Sequence, residues 1–368
     1  MGVSMISRQV LVASDVLAEA PQEISMPRCG LAFDWFDIDK RPNDWDAEVQ
    51  TSGQCVFHLS RMLAAHAFGG ARRRGIVIRA DGKPAAVLGG LWLKDAHGIS
   101  FQTLSFPAPD DSRPDTLLAE LVSWLHQQGV SGIRIGSFEG GVERYEIDTA
   151  AWGTEERLEF PWRLDQTEAE RMRCLRSNHK RKLKNLLKLE LRVKEVQRFR
   201  AELMTLLRVR WAARRGRRLS VREVLGLYRY YGMLQANLTR PGLAKLYGLY
   251  DRSDTLLSIA YMLEAPSAAF YMIGASSPAG YRIGASVRLF WDLAAMYAER
   301  GVRHLNLGGV PKAALNPEHD EHGTLRFKAD FGIEPVKRVT LVYQKHGEQF
   351  GRVGRRRPDA AAALAARA

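Results

Sequence analysis

Lys328 lies in the compact stretch GTLRFKADFG (323–332), between Phe327 and Phe331. A lysine ammonium is a point charge that can neutralise a phosphate or an oxyanion developing on a carbonyl. Upstream, the run HLNLGGV (304–310) carries short apolar alternation into Gly308-Gly309. Two glycines at the end of a buried strand allow close approach of a ligand to the backbone, or make a plain turn. Asn306, between Leu305 and Leu307, alternates to the face opposite both leucines, where it lines a pocket or bonds a neighbouring loop. The expectation is a strand that stops on the two glycines and a polar loop that returns Lys328 to them. Arg326 and Phe327 are further candidates for substrate contact, although Phe327 and Phe331, at i and i+4, also read as core anchors.

Other constellations carry less. The run Glu318-His319-Asp320-Glu321-His322 lacks the helical H-E-x-x-H arrangement and follows Asn316-Pro317, so it reads as a solvated loop and no metal is expected there. A histidine in it titrates in the range of a general base. Neither a nucleophile triad nor a pair of carboxylates stands out. Three cysteines, Cys29, Cys55 and Cys174, lie far apart without a CxxC pair, which argues for a reducing compartment, the cytoplasm by default. No run of apolar residues is long enough to cross a membrane as a helix.

The net charge of +13 is concentrated. Between Arg171 and Arg218 there are 18 lysines and arginines against three acids, Glu190, Glu195 and Glu202. Such a surface steers polyanions such as RNA, or phosphate-bearing substrates; a solvated helix face is the plainer reading. At 368 residues the chain fits two domains.

Several elements must position these residues. GIVIR (75–79) and AAVLGGLWL (85–93) flank an Asp81-Gly82 turn and form a hairpin. ISFQTLSF (99–106) is a strand, and Pro114 opens a helix that ends at Gly129 before the strand IRIG (133–136). The second half repeats the plan: strands at 256–263 and 268–275, a helix over 286–300 ending at Gly301, then HLNL. Between them, Thr167 and Glu170 form a capping box that opens one basic helix, AERMRCLRSNHKRKLKNLLKL, with a thin leucine stripe. A strand at 189–196 and helices over 198–214 and 221–237 follow.

The order strand pair, helix, glycine-ended strand and G-x-x-R-F-K-x-x-F-G resembles the second domain of the FemABX-type peptidyltransferases. It also resembles the related GNAT-like acyltransferase domain of bacterial polysaccharide-biosynthesis proteins. CLRSNHKRKLKNLLKLELRVKEV (174–196) with RWAARRG (210–216) is similar to that family's entry into the domain. The resemblance covers 165–340 by motif and 55–150 by architecture alone.

It implies an α/β protein of two tandem GNAT-like domains, each a mixed central sheet flanked by helices. These would span 31–164 and 165–345, with an N-terminal extension (1–30) and a basic Ala/Arg tail (346–368). It implies amide formation, with an amino acid moved from aminoacyl-tRNA to an amine of a small-molecule, peptide or cell-wall-type acceptor. The relatives use acyl-CoA instead, and no tightly bound cofactor is implied. Lys328 takes the place of a functional lysine, with Asn306 beside it. Gly308, Gly309, Tyr281, Gly284, Trp211 and Arg214 join Arg326 and Phe327 as substrate-binding candidates. Arg176, Lys180, Arg181, Lys184 and Lys188 are candidates for tRNA or phosphate. The sequence departs from the acyl-CoA pattern Q/R-x-x-G-x-G/A, since Tyr281-Arg282-Ile283-Gly284-Ala285-Ser286 keeps only the first glycine. That departure and the concentrated charge favour the aminoacyl-tRNA reading over acyl-CoA, and over a non-catalytic RNA- or phosphate-binding protein.

Overall fold

The computed structural model describes residues 31–52, 55–67, 70–95, 98–106, 114–138, 152–196, 206–207 and 218–344. The extension 1–30, the tail 346–368, most of the expected helix over 198–214, Trp211 and Arg214 lie outside the described residues.

The chain opens with β1 (Leu31–Asp37), α1 (Pro42–Thr51) and α2 (Ser60–His66). A meander follows: β2 (Arg72–Ala80), β3 (Lys83–Asp95) and β4 (Gly98–Thr103). Asp81 and Gly82 both have positive φ, 51° and 77°, as a tight twisted hairpin turn requires. Helix α3 (Pro114–Gln127) leads to β5 (Gly132–Ile135) and then β6 (Trp152–Arg163).

The basic segment forms two helices rather than the one expected, α4 (Glu168–Cys174) and α5 (Ser177–Leu186). Thr167 and Glu170 do form the capping box of α4. Leu175 and Arg176 interrupt the helix in extended conformation, because the Arg176 N–H donates to the Asp330 carbonyl at 3.0 Å and Asn178 Nδ2 to the Asp330 carboxylate at 3.0 Å. A tertiary anchor therefore replaces helical bonding at these two residues. The second series comprises β7 (Arg192–Glu195), α6 (Val221–Leu234), β8 (Ala244–Tyr250), β9 (Leu256–Glu264) and β10 (Ala268–Ser276). It continues with α7 (Pro278–Ile283), α8 (Ala285–Glu299), β11 (His304–Pro311), α9 (His322–Ala329) and β12 (Val336–Gln344).

Among the described residues the twelve strands form one continuous mixed sheet, ordered β1-β2-β3-β4-β5-β12-β6-β11-β10-β9-β8-β7. The order reads the same from either edge except at the centre, where the two series exchange strands. β6 follows β5 in the chain but pairs with β11, and β12 follows β11 but pairs with β5. The exchanged strands pair with each other, antiparallel, from Val336–Glu159 to Tyr343–Trp152. The sheet thus has a first half, β1–β5 with β12, and a second half, β7–β11 with β6.

Apolar periodicity decides the layers. In the first half Leu117, Leu118, Leu121 and Leu125 of α3 pack on Ile133, Ile135 and Phe101. In the second half α5, α8 and α9 cover one face through Leu183, Leu186, Leu289, Leu293 and Ala329. The other face carries α6, with Phe57 and Met62 from the first half packed into the same cluster.

Candidate functional site

β10 and β11 run parallel, but their pairing covers only Ala268–His304, Ala269–Leu305 and Phe270–Asn306. Beyond that point each strand bulges, β10 between Tyr271 and Ile273, β11 between Asn306 and Gly309. The strand does not stop on its glycines as the sequence suggested. β11 runs through them to Pro311, because Gly308 takes φ +76° and the ladder resumes on β6 at Gly309–Glu159. A left-handed residue inside a strand is the usual device for a bulge, and it re-aims the groups beside it.

Lys328 reaches this place from α9, a helix rather than the expected loop. It is buried, not the solvated lysine that a helix surface would allow. Its Nζ donates to the Gly309 carbonyl at 3.2 Å and stands 5.9 Å from the centre of the Phe160 ring. A Cβ on Gly308 would lie 3.1 Å from the Tyr271 carbonyl and 3.6 Å from Lys328 Nζ, so the glycine keeps space between the parting strands and the ammonium.

The position of Lys328 follows from packing behind it. Phe331 is fully buried against Trp162 and Phe290, and Phe327 packs on Phe331 at 5.5 Å between ring centres. Both phenylalanines therefore serve as anchors of α9. Tyr271 stands edge-on to Phe290 at 4.8 Å and closes this apolar wall. His179 of α5 lies against both rings, 4.6 Å from Phe331 and 5.2 Å from Phe327. Burial pushes its pKa down from 6.5 to about 4, although the Asp330 carboxylate at 3.6 Å pulls the other way.

On β6, Leu158, Phe160 and Trp162 face the α5–α8–α9 layer, so Arg157, Glu159 and Pro161 face the opposite side. There Glu159, fully buried, accepts from Arg157, from Arg338 Nε at 3.2 Å and from Asn306 Nδ2 at 3.3 Å. The other end of the Asn306 amide, Oδ1, accepts the Gly308 N–H at 2.8 Å. The Arg157 guanidinium lies 4.0 Å over the Phe138 ring, which stacks on Phe57 at 4.8 Å. Residues of both halves thus meet beside the bulge.

The structure brings Lys328, Asn306, Gly308 and Gly309 together. Arg326 is exposed on α9 and Tyr281 is exposed on α7. Gly284 is the left-handed joint between α7 and α8, with the Lys182 side chain against it, so α5 runs beside the N-terminus of α8. Arg288 Nη1 donates to the Leu186 carbonyl at 3.3 Å and ties the two helices further along. Arg176, Arg181, Lys184 and Lys188 are exposed and Lys180 is half-buried, so the cations of this segment face solvent alongside α8. Among the described residues no three His, Cys, Asp or Glu side chains converge as a metal set. His319 and His322 are engaged locally, with the Glu321 N–H and the Ala314 carbonyl.

Sequence reasoning missed Glu159, Arg157 and Arg338. The signal for the first two was present in RLEFPW (157–162), where a leucine and two aromatics alternate with charge and the central carboxylate must then be covered.

Comparison with known proteins gives a consistent picture. Residues 173–328 match the acetyltransferase (GNAT) domain family. FemX shares 15% identity at a TM-score of 0.65, over 85% of this chain and 97% of that one. L-PGS from Bacillus licheniformis shares 15% identity at 0.52, over 84% and 93%. A tandem GNAT protein from the clavulanic acid biosynthesis pathway shares 12% at 0.50, over 85% and 98%. No curated protein matches the sequence. Residues 173–328 are thus similar to a GNAT acetyltransferase domain, and the chain as a whole has the fold of these proteins, with two GNAT-like halves in one sheet.

Proposed function

We propose that this acyltransferase forms an amide bond by moving an amino acid from aminoacyl-tRNA to the amine of a small-molecule, peptide or cell-wall-type acceptor. The carrying observation is the line of exposed cations from Arg176 to Lys188 beside the α8 N-terminus, on the side from which Lys328 approaches the bulge. A ten-residue helix is about 15 Å long at about 1.5 Å per residue, longer than one pyrophosphate needs and suited to a run of phosphates.

In this reading the aminoacyl ester enters where β10 and β11 part. The neutral acceptor amine attacks the ester carbonyl, a C–N bond forms and the C–O bond to the ribose breaks. The amine proton passes to solvent and the leaving oxygen takes one up. The donor is already activated, so positioning and charge stabilisation carry the rate. The role assigned to Lys328 is to meet the carbonyl oxygen with its ammonium as negative charge develops, and its burial beside the Gly308 bulge supports that role. Asn306, with both ends of its amide engaged, shapes the bulge.

A second reading, acyl-CoA as donor, is favoured by the family description of residues 173–328. Single-turnover transfer from charged tRNA to a panel of amines, run beside acetyl-CoA with the same amines, separates the two. The tRNA reading expects transfer from the ester alone. It also expects Arg181→Glu with Lys184→Glu to raise the donor KM and flatten its salt dependence by about one unit of slope per lost phosphate contact. Transfer from acetyl-CoA alone, with a clear thermal stabilisation by CoA, would sink it.

A further inference from the structure

We infer that Glu159 is a positioning residue for the transfer site, which sets the place of the Lys328 ammonium through Asn306 and the Gly308 bulge. The inference rests on the functional reading above for the meaning of Lys328, but its geometry stands apart from any donor.

A fully buried carboxylate is costly unless it is paired and hydrogen-bonded. Glu159 is both: Arg157 lies two residues before it on β6, while Arg338 from β12 and Asn306 from β11 come from distant parts of the chain. Replacing such a group by an apolar one is often tolerated for stability alone. Here the carboxylate does something an apolar residue cannot do.

An asparagine amide has one donor end and one acceptor end. Glu159, an acceptor only, takes the Nδ2 end and so turns Oδ1 toward the Gly308 N–H. That bond closes the short loop over Leu307 and holds Gly308 left-handed at φ +76°. The bulge in turn aims the Gly309 carbonyl at Lys328 Nζ, 3.2 Å away. The chain of contacts therefore runs from a carboxylate on one face of the sheet, through the strand, to an ammonium on the other. Glutamine at 159 breaks its logic with little change of shape. Its NH2 must face an arginine or the Asn306 amide, and an Asn306 that flips in response points NH2 at the Gly308 N–H, donor against donor.

The test compares Glu159→Gln, Lys328→Ala and their double variant for kcat and donor KM. Glu159→Gln is expected to lower kcat by about tenfold or more at unchanged donor KM, and to add less than about twofold once Lys328 is gone, since coupled residues are non-additive. Fully additive losses, or a raised KM with kcat kept, would overturn the inference. Asn306→Ala removes the same link without touching the ion pairs and is expected to reproduce the pattern even if Glu159→Gln folds poorly. A readout independent of catalysis is the rate at which an amine-acylating reagent labels Lys328, followed by mass spectrometry. Faster labelling is expected in Glu159→Gln and Asn306→Ala at wild-type melting temperature, and unchanged labelling overturns the relay. Altered labelling with no transfer from either donor would retire the proposed reaction and leave the positioning role intact.

Discussion

The two halves solve the same strand junction in opposite ways. In the first, β4 and β5 pair from Ser100–Gly132 to Thr103–Ile135 and then stay together, with the Gly136 N–H on the Thr103 carbonyl and the Phe138 N–H on the Leu104 carbonyl. In the second, the matching strands β10 and β11 pair over three residues and part. Each junction is followed by a glycine, and the reasons for the two glycines differ. A Cβ at Gly136 would fall 2.3 Å from the Leu104 carbonyl oxygen, so that glycine permits closure. Gly308 has φ +76° and a lysine nitrogen in front of it, so that glycine permits an opening. A glycine just beyond the paired residues lets one pair of strands close and the other pair part. In the proposed reaction one junction carries the chemistry, and its counterpart supplies Phe138 as a wall beneath Arg157.

Lys328→Ala should break the comparison most severely. Loss of the charge at the open junction is expected to cut kcat by about 10²–10³, the range seen when an oxyanion donor is removed. Steady-state kinetics with the accepted donor checks this, and full retained activity would remove Lys328 from the site.

The paired glycines sharpen it. Gly136→Ala is expected to destabilise the fold by about 2–4 kcal/mol through backbone collision, with activity per folded molecule preserved. Gly308→Ala should cost only about 1–2 kcal/mol for its left-handed conformation, yet lose most activity. Denaturant titrations beside specific activities test the pair, and equal behaviour of both variants would erase the distinction between the junctions.

The smallest effect concerns one buried histidine in each half, His58 and His179, both pushed by burial from 6.5 down to about 4. The unfolded chain takes up these protons at higher pH than the folded one, so stability is complete above pH 6.5. It falls as pH drops from 6.5 towards 4 and levels off below that. His179→Phe should flatten part of this slope in melting temperatures recorded between pH 7 and 4.5. An unchanged slope would mean that His179 charges freely in the folded protein.

Much of the architecture was legible because it is local. The Asp81-Gly82 hairpin, the Pro114 helix start and the glycine stops at 129 and 301 each depend on neighbouring residues and fall where their signals place them. The resemblance through GTLRFKADFG pointed to the GNAT-type domain whose family matches residues 173–328, and to the fold shared with FemX. What stayed hidden depends on distant chain. The break before α5 is made by Asp330, 152 residues from Asn178. Glu159 was overlooked because its meaning comes from Asn306 and Arg338, 147 and 179 residues away, and no local pattern announces either. Strand exchange at the centre of the sheet left no trace in composition, since β6 and β12 look like ordinary alternating strands wherever they pair.

That exchange also fixes an order of events during synthesis. The first half lacks its neighbour for β5 until β12, at Val336–Gln344, has been made. At about 5–20 residues per second the intervening chain takes on the order of ten to forty seconds to emerge. Through that interval the free side of β5 is an unpaired edge, the kind of surface on which nascent chains stick to one another. The ribosome therefore releases a protein whose earliest strands are completed last, and chaperone capture should concentrate on the time before β12 arrives.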